Sequence, residues 1–390
     1  MEELRTHSLT RAPLRAAGDF RFVPIEAVSA LDRANLPDAG AGSGWAGALT
    51  PERPGWRRAH LVTQETVELL ASLQRAPALP VGSDPAAVAR LVLDGILEVE
   101  REGEFISGPA AHSLFFESAA PTPVGPLGQL SLEALNYAAV LGSAQPLLLA
   151  HALYRYNTLP ASPQWRRRLP DPSAVARLLR CERHPGKRGG RSPWTMWVSA
   201  DKGPVWEVWE RRAAPLPPPG APTYKLYVTP PVAAIAEARR AVLSLAGTQG
   251  APFALKLGGD LLTLLRSEKL VAYYTTLAEL REGAERLRGA LAGLPGQGVP
   301  FTAELGAGRL LSWGADPGDL AEPPGPLRQT SWRRWITARL ATALATALAA
   351  GAPVPAWHYA LDRVSLDGVD PRSWTPPAWF WKGFETHAHH

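Results

Sequence analysis

The sequence predicts an α+β protein: a mostly helical N-terminal region, then a mixed or antiparallel sheet with flanking helices. Three observations predict it. Up to Glu182 the apolar residues recur mainly at helical spacing. From Pro193 the period switches to the alternation of strands. After the stiff stretch AAPLPPPGAP, residues 213–222, the order becomes strand, helix, strand, strand, helix, strand. The chain therefore divides into residues 1–215 and 222–390. The first part carries a Trp-rich hairpin and is suited to binding a peptide or a partner.

The elements follow in order. HLVTQETVELLASLQ has helical periodicity, and DPAAVARLVLDGILEVEREGEF adds a helix with an N-cap at Asp84 and a strand hairpin. The pattern is similar to a winged helix, but no cluster of basic residues is there to meet DNA. APTPVGPLG separates it from LSLEALNYAAVLGSAQPLLLAHALYRYN, a run with a broad apolar face. Trp165–Arg168 (WRRR) sits at a loop-like position, and PSAVARLLRCE is a helix capped by Asp171 or Ser173. PWTMWVSADKGPVWEVWERR reads as two strands about the turn Asp201-Lys202-Gly203-Pro204, its tryptophans packing across strands. The later strands are TYKLYVT, PFALKLG, KLVAYYT and GRLLSWG. PPVAAIAEARRAVLSLA and TLAELREGAERLRGALAGL are the helices between them. A helix, SWRRWITARLATALATALAAG, and the tail WTPPAWFWKGF follow.

Composition narrows the function classes. With 390 residues and 46% apolar content the chain can bury a sizeable core. A net charge of +5 suits an acidic or phosphorylated partner but is too slight for a nucleic-acid binder. The single cysteine, Cys181, excludes an internal disulfide and fits a reducing cytoplasm. The N-terminus lacks a signal-peptide core, and the run Leu340–Ala350 is too short to span a bilayer, so no membrane role is expected.

The lysines carry the chemistry. Only six of the 41 basic residues are lysines, and three of them are Lys225, Lys256 and Lys269. Lysine, unlike arginine, gives up its proton near neutral pH when its surroundings depress its pKa. Strand alternation puts Lys225 with Tyr227, and Lys269 with Tyr273, while Lys256 points away from Phe253, Leu255 and Leu257. If the strands share a sheet, these residues and Arg309 converge on one surface. Cations held together attract a dianion and lower one another's pKa. The alternative is the solvated side of an amphipathic sheet.

These residues also carry a resemblance. Lys225-Leu226-Tyr227-Val228, Phe253-Ala254-Leu255-Lys256, Ser267-Glu268-Lys269 through Tyr273, and Arg309 before Ser312-Trp313-Gly314 occur in one order and spacing. Residues 222–316 resemble the phosphothreonine-lyase domains of class III and IV lanthipeptide synthetases. They resemble more closely the HopA-type proteins of class V lanthipeptide and thioamitide pathways, a family named for a type III effector. LYRYN, residues 153–157, is similar to the effector-like proteins as well.

The resemblance implies that residues 222–390 form a lyase-like domain eliminating phosphate from phosphoserine or phosphothreonine in a precursor peptide. It implies Lys256 as base, Tyr227 as acid, and Lys225, Lys269 and Arg309 as phosphate ligands, with Tyr273 and Arg266 as further candidates. It implies no metal and no organic cofactor. The effector lyases carry His where this chain has Tyr227. The acid then comes from Tyr227 or from outside the segment, as His151 or His358 would supply. A non-catalytic effector or a scaffold binding a phosphorylated protein or peptide is the alternative. No kinase or Walker motif occurs, so phosphorylation is expected from a separate kinase-like protein. Three other patterns are set aside. Gly42–Gly47 fits G-x-G-x-x-G but follows coil. Cys181-x-x-His184 lacks a second ligand pair. His387, His389 and His390 bind metal adventitiously at most.

Overall fold

The computed structural model describes residues 12–29, 45–74, 79, 83–117, 119–179, 192–199, 204–212, 214–217, 221–306, 308–316 and 331–377. Cys181, His184, Gly42–Gly44, Asp201–Gly203 and the terminal histidines lie outside these residues. The chain is α+β and forms two compact units. One comprises residues 1–122, 135–154 and 319–372; the other comprises 123–134, 155–318 and 373–390.

The first unit holds two three-stranded sheets. One orders β1 (Leu14–Ala16), β5 (Leu97–Arg101) and β6 (Glu104–Ile106); the other orders β2 (Phe20–Pro24), β3 (Trp45–Pro51) and β4 (His60–Thr63). The helical reading of HLVTQETVELLASLQ holds only for α1 (Gln64–Leu73). His60–Thr63 pairs with β3 instead, and the Thr63 side chain accepts from the Thr66 amide to start the helix. Asp84 caps α2 (Pro85–Leu93), with Pro85 at the first helical position. The expected hairpin is β5–β6.

The helix α3 (Gly125–Val140) begins inside the stretch APTPVGPLG expected to separate elements, and with α4 (Pro146–Arg155) it makes up most of the apolar run expected to be helical. WRRR is not loop: it ends α5 (Pro163–Arg168), whose cap Ser162 accepts from Trp165 N. Asp171 caps α6 (Pro172–Leu178).

The second unit is built on a seven-stranded sheet, every pair antiparallel. Its order is β12 (Ala303–Glu304), β13 (Leu311–Asp316), β9 (Thr223–Val228), β11 (Leu270–Tyr274), β10 (Ala254–Gly258), β8 (Trp206–Arg211) and β7 (Trp194–Ser199). One face carries Leu226, Val228, Leu255, Leu257, Leu270 and Trp313. It is covered by α7 (Ile235–Ser244) and α9 (Leu277–Ala290), which supply Ile235, Val242, Leu280 and Leu287, while the single turn α8 (Leu261–Leu264) joins β10 to β11. Each such aliphatic side chain contributes roughly 1.5–3 kcal/mol on burial.

The Pro-rich stretch 213–222 is not a boundary between units. The Trp hairpin before it pairs through β8 with β10 beyond it, so backbone hydrogen bonding continues the sheet across the sequence break. Trp194 and Trp209 belong to the core face, where Trp194 donates to Leu243 O of α7. C-terminal to the sheet, in the first unit, α10 (Trp332–Ala350) packs against α11 (Ala356–Ser365). Gly351 ends α10 in the left-handed conformation, φ 65°. Among the described residues no helix is long and apolar enough to cross a membrane.

Candidate functional site

Residues opposed across strands share a face of the sheet, so the pairing register shows what the core-distal face carries. One row runs Val208, Lys256, Val271, Tyr227, Ser312 and Glu304. The next row runs Ala254, Tyr273, Lys225 and Gly314. Lys269 lies on the other side of the first row, its carbonyl accepting from Gly258 N. Lys225, Tyr227, Lys256, Lys269 and Tyr273 thus share one face of one sheet. Arg309 is half-buried, two residues ahead of β13, its carbonyl accepting from the Thr229 hydroxyl.

The side chains on that face form three groups. At the β9 end, the Lys225 ammonium pairs with the Asp316 carboxylate and stands 5.4 Å from the Tyr273 ring centroid. Burial favours a neutral Lys225, but Asp316 outweighs it and the ammonium is held above the ordinary lysine range. The expected mutual lowering by neighbouring cations is therefore absent at Lys225, because a carboxylate lies closer than any lysine. Burial is also the leading cause that raises the Tyr273 phenol, which Asp316 raises further while Lys225 opposes it.

At the β10 end, Lys256 Nζ lies 4.2 Å from the Trp206 ring centroid, with Arg266 Cζ 5.6 Å from the same ring. An indole face attracts both cations and holds them near each other. Lys256 and Lys225 are two strands and two residues apart, about 12 Å between Cα atoms at ordinary sheet spacings. Between the two groups Tyr227 packs with Val271 and Val299, and only 2% of Tyr227 is exposed.

The third group centres on Lys269, which is fully buried at 0% exposure. Its ammonium donates to Pro230 O at 3.2 Å and to the Gln297 side-chain oxygen. Burial lowers its pKa to about 8. Gln297 in turn donates to Asn157 O at 2.5 Å, and the Asn157 amide donates to the carbonyls of Gln297 and Gly298. The backbone amides of Gln297 and Gly298 donate to the carbonyl and hydroxyl of Thr229. Gly296 approaches the chain so closely that a Cβ there would collide with the backbone of Arg309 and Leu310. The segment 296–299 is therefore strapped against the lysine face, with Val299 on Tyr227.

Several of these residues had no signal in sequence. Asp316 and Gln297 stand in no motif, and Trp206 carries only the pattern of hairpin packing. Asn157 ends LYRYN, where no local pattern marks its amide as a link to residues 297 and 298. Of the alternative acids, His151 is exposed on α4 and His358 is buried in the first unit. A cleft of about 330 Å³ beside β12, lined by Gly125, Leu127, Trp313 and Thr375, has Glu304 as its charged group. That carboxylate already accepts from the amides of Leu127 and Gly308 and repels a phosphate.

No protein-family model and no curated protein matches this chain. Two solved structures of Pseudomonas syringae effector proteins are similar to it. One is from pv. tomato strain DC3000, at 13% identity, and one from pv. syringae strain 61, at 12%. Each comparison has a TM-score of 0.41 and covers 64% of this chain and 97% of the effector.

Proposed function

We propose that this protein is a lyase eliminating phosphate from phosphoserine or phosphothreonine in a peptide, which leaves a dehydroamino acid. The observation that carries the reading is the in-register row Lys256–Val271–Tyr227, with Lys225 and Tyr273 in the adjacent row. Lys256, deprotonated, removes the α-proton of the phosphorylated residue. The electron pair of that C–H bond forms the Cα=Cβ bond, and the Cβ–O bond breaks with its pair on the leaving phosphate. Tyr227 donates the proton the phosphate oxygen takes up. The cations favour this charge shift because the negative charge grows on the departing group.

A phosphate reaching Lys225 competes with Asp316 for the ammonium, so Asp316 sets how tightly the anion is held. Arg309 is the second phosphate ligand, as the resemblance implies. Lys269 acts by fixing Gln297 and the segment over Tyr227, rather than by touching phosphate. That segment lifts when Tyr227 engages its substrate. The phosphorylated precursor peptide comes from a separate kinase, since the chain carries no kinase motif.

A second reading, a non-catalytic protein that binds a phosphorylated partner, is favoured by one observation: Lys225 is paired and Tyr227 covered. Mass spectrometry of a phosphoserine- and phosphothreonine-containing precursor peptide, with leader and cognate kinase present, separates the two. The lyase reading expects loss of one phosphoric acid per site. Phosphopeptide that binds and stays intact assigns the second reading.

A further inference from the structure

The first unit buries three potential ligand groups at one point. His112 lies in the 3-10 helix Gly108–Leu114, and His358 and Asp362 are one turn apart on α11. They are 1%, 3% and 5% exposed. Asp362 Oδ2 lies 2.7 Å from His112 Nε2 and 3.1 Å from His358 Nε2. The His358 Nε2 contact has the distance but not the direction of a hydrogen bond, so that buried nitrogen makes no well-directed hydrogen bond. Leaving such an atom unsatisfied is unfavourable. The walls are aromatic: Phe116 stacks on His112 at 5.3 Å and Trp357 on His358 at 5.7 Å. The nearby Arg363 is engaged by Asp94 and Asp367.

We propose that His112, His358 and Asp362 form a mononuclear site for a divalent transition metal, with zinc the ion their donor set fits best. Two imidazoles and one carboxylate are a familiar zinc set that leaves a fourth position open. The three donor atoms lie within 4.8 Å of one another. Bonds of about 2.0–2.1 Å in a tetrahedron place donors about 3.3 Å apart, so the contacts of 2.7 and 3.1 Å open by a few tenths of an ångström. A bound ion gives the idle His358 nitrogen a partner. The ion joins segments 250 residues apart in the chain, both within the first unit. The site belongs to the first unit and the lysine face to the second.

The test uses the full chain with His387, His389 and His390 replaced by Ala, because terminal histidines hold metal themselves. Zinc content is measured after equilibration with Zn²⁺ against a competing chelator, and the visible spectrum after loading with Co²⁺. The expected result is one equivalent per chain, a cobalt spectrum of four- or five-coordinate type, and a Tm raised by Zn²⁺. His358→Gln, folded by circular dichroism, lowers zinc affinity more than about 100-fold, beyond the loss from an outer hydrogen-bond partner. His112→Gln gives the same loss and serves if His358→Gln does not fold. Folded protein that binds no stoichiometric metal, or affinity unchanged in both variants, overturns the proposal and leaves a hydrogen-bonded triad only.

Discussion

Replacing Lys269 by Met separates what burial does to this lysine from what its hydrogen bonds do. In the folded protein its pKa falls from 10.5 to about 8, with desolvation as the cause. At 1.36 kcal/mol per unit, that drop corresponds to about 3 kcal/mol between the two protonation states. The sign follows from linkage. Between pH 8 and 10.5 the unfolded chain holds a proton on Lys269 that the folded protein has released, so raising pH favours folding. The gain is complete above 10.5 and absent below about 8. Lys269→Met lacks this group. Urea denaturation midpoints at pH 7.5, 8.5, 9.5 and 10.5 therefore show wild type gaining about 3 kcal/mol on the variant across the series. Tyr273, Tyr274 and Tyr359, all raised, titrate in both proteins and cancel in the difference. Curves that stay parallel from pH 7.5 to 10.5 would refute the assignment of Lys269 as a desolvated buried cation.

Asp316→Asn removes the partner of a mostly buried ammonium and lowers stability by about 2 kcal/mol. The double variant Lys225→Met/Asp316→Asn recovers most of that loss in thermal melts. Gln297→Ala unties Lys269 and Asn157 together and costs about 2–3 kcal/mol. It also raises amide hydrogen exchange at residues 296–299. Trp206→Leu removes the ring shared by Lys256 and Arg266 and lowers the elimination rate several-fold, followed by mass spectrometry.

The sheet was legible because its signal is local. Lys225, Tyr227 and Lys256 alternate with Leu226, Val228, Leu255 and Leu257, and the observed register keeps that division. The α5 helix was missed although Ser162-Pro163 is a start signal, because six residues carry too little periodicity to oppose four polar ones. The placement of the Trp hairpin depends on β8 pairing with β10 across the Pro-rich stretch, which no window of sequence contains. The same distance in sequence hid Asp316 beside Lys225 and Gln297 beside Lys269. His358 and Asp362 stand at visible helical spacing, but His112 joins them from far along the chain. Charge partners recruited from distant segments decide which lysine is paired, which buried and which held on a ring. Composition alone assigns all three the same role.

The central claim is that Lys256 removes the α-proton. Its most direct test follows a phosphorylated precursor peptide by mass spectrometry with wild type and with Lys256→Ala, while calorimetry measures binding of the same peptide. The account predicts elimination by wild type, none by the variant, and phosphopeptide affinity within a few-fold in both. Elimination that persists in the folded Lys256→Ala protein would contradict it.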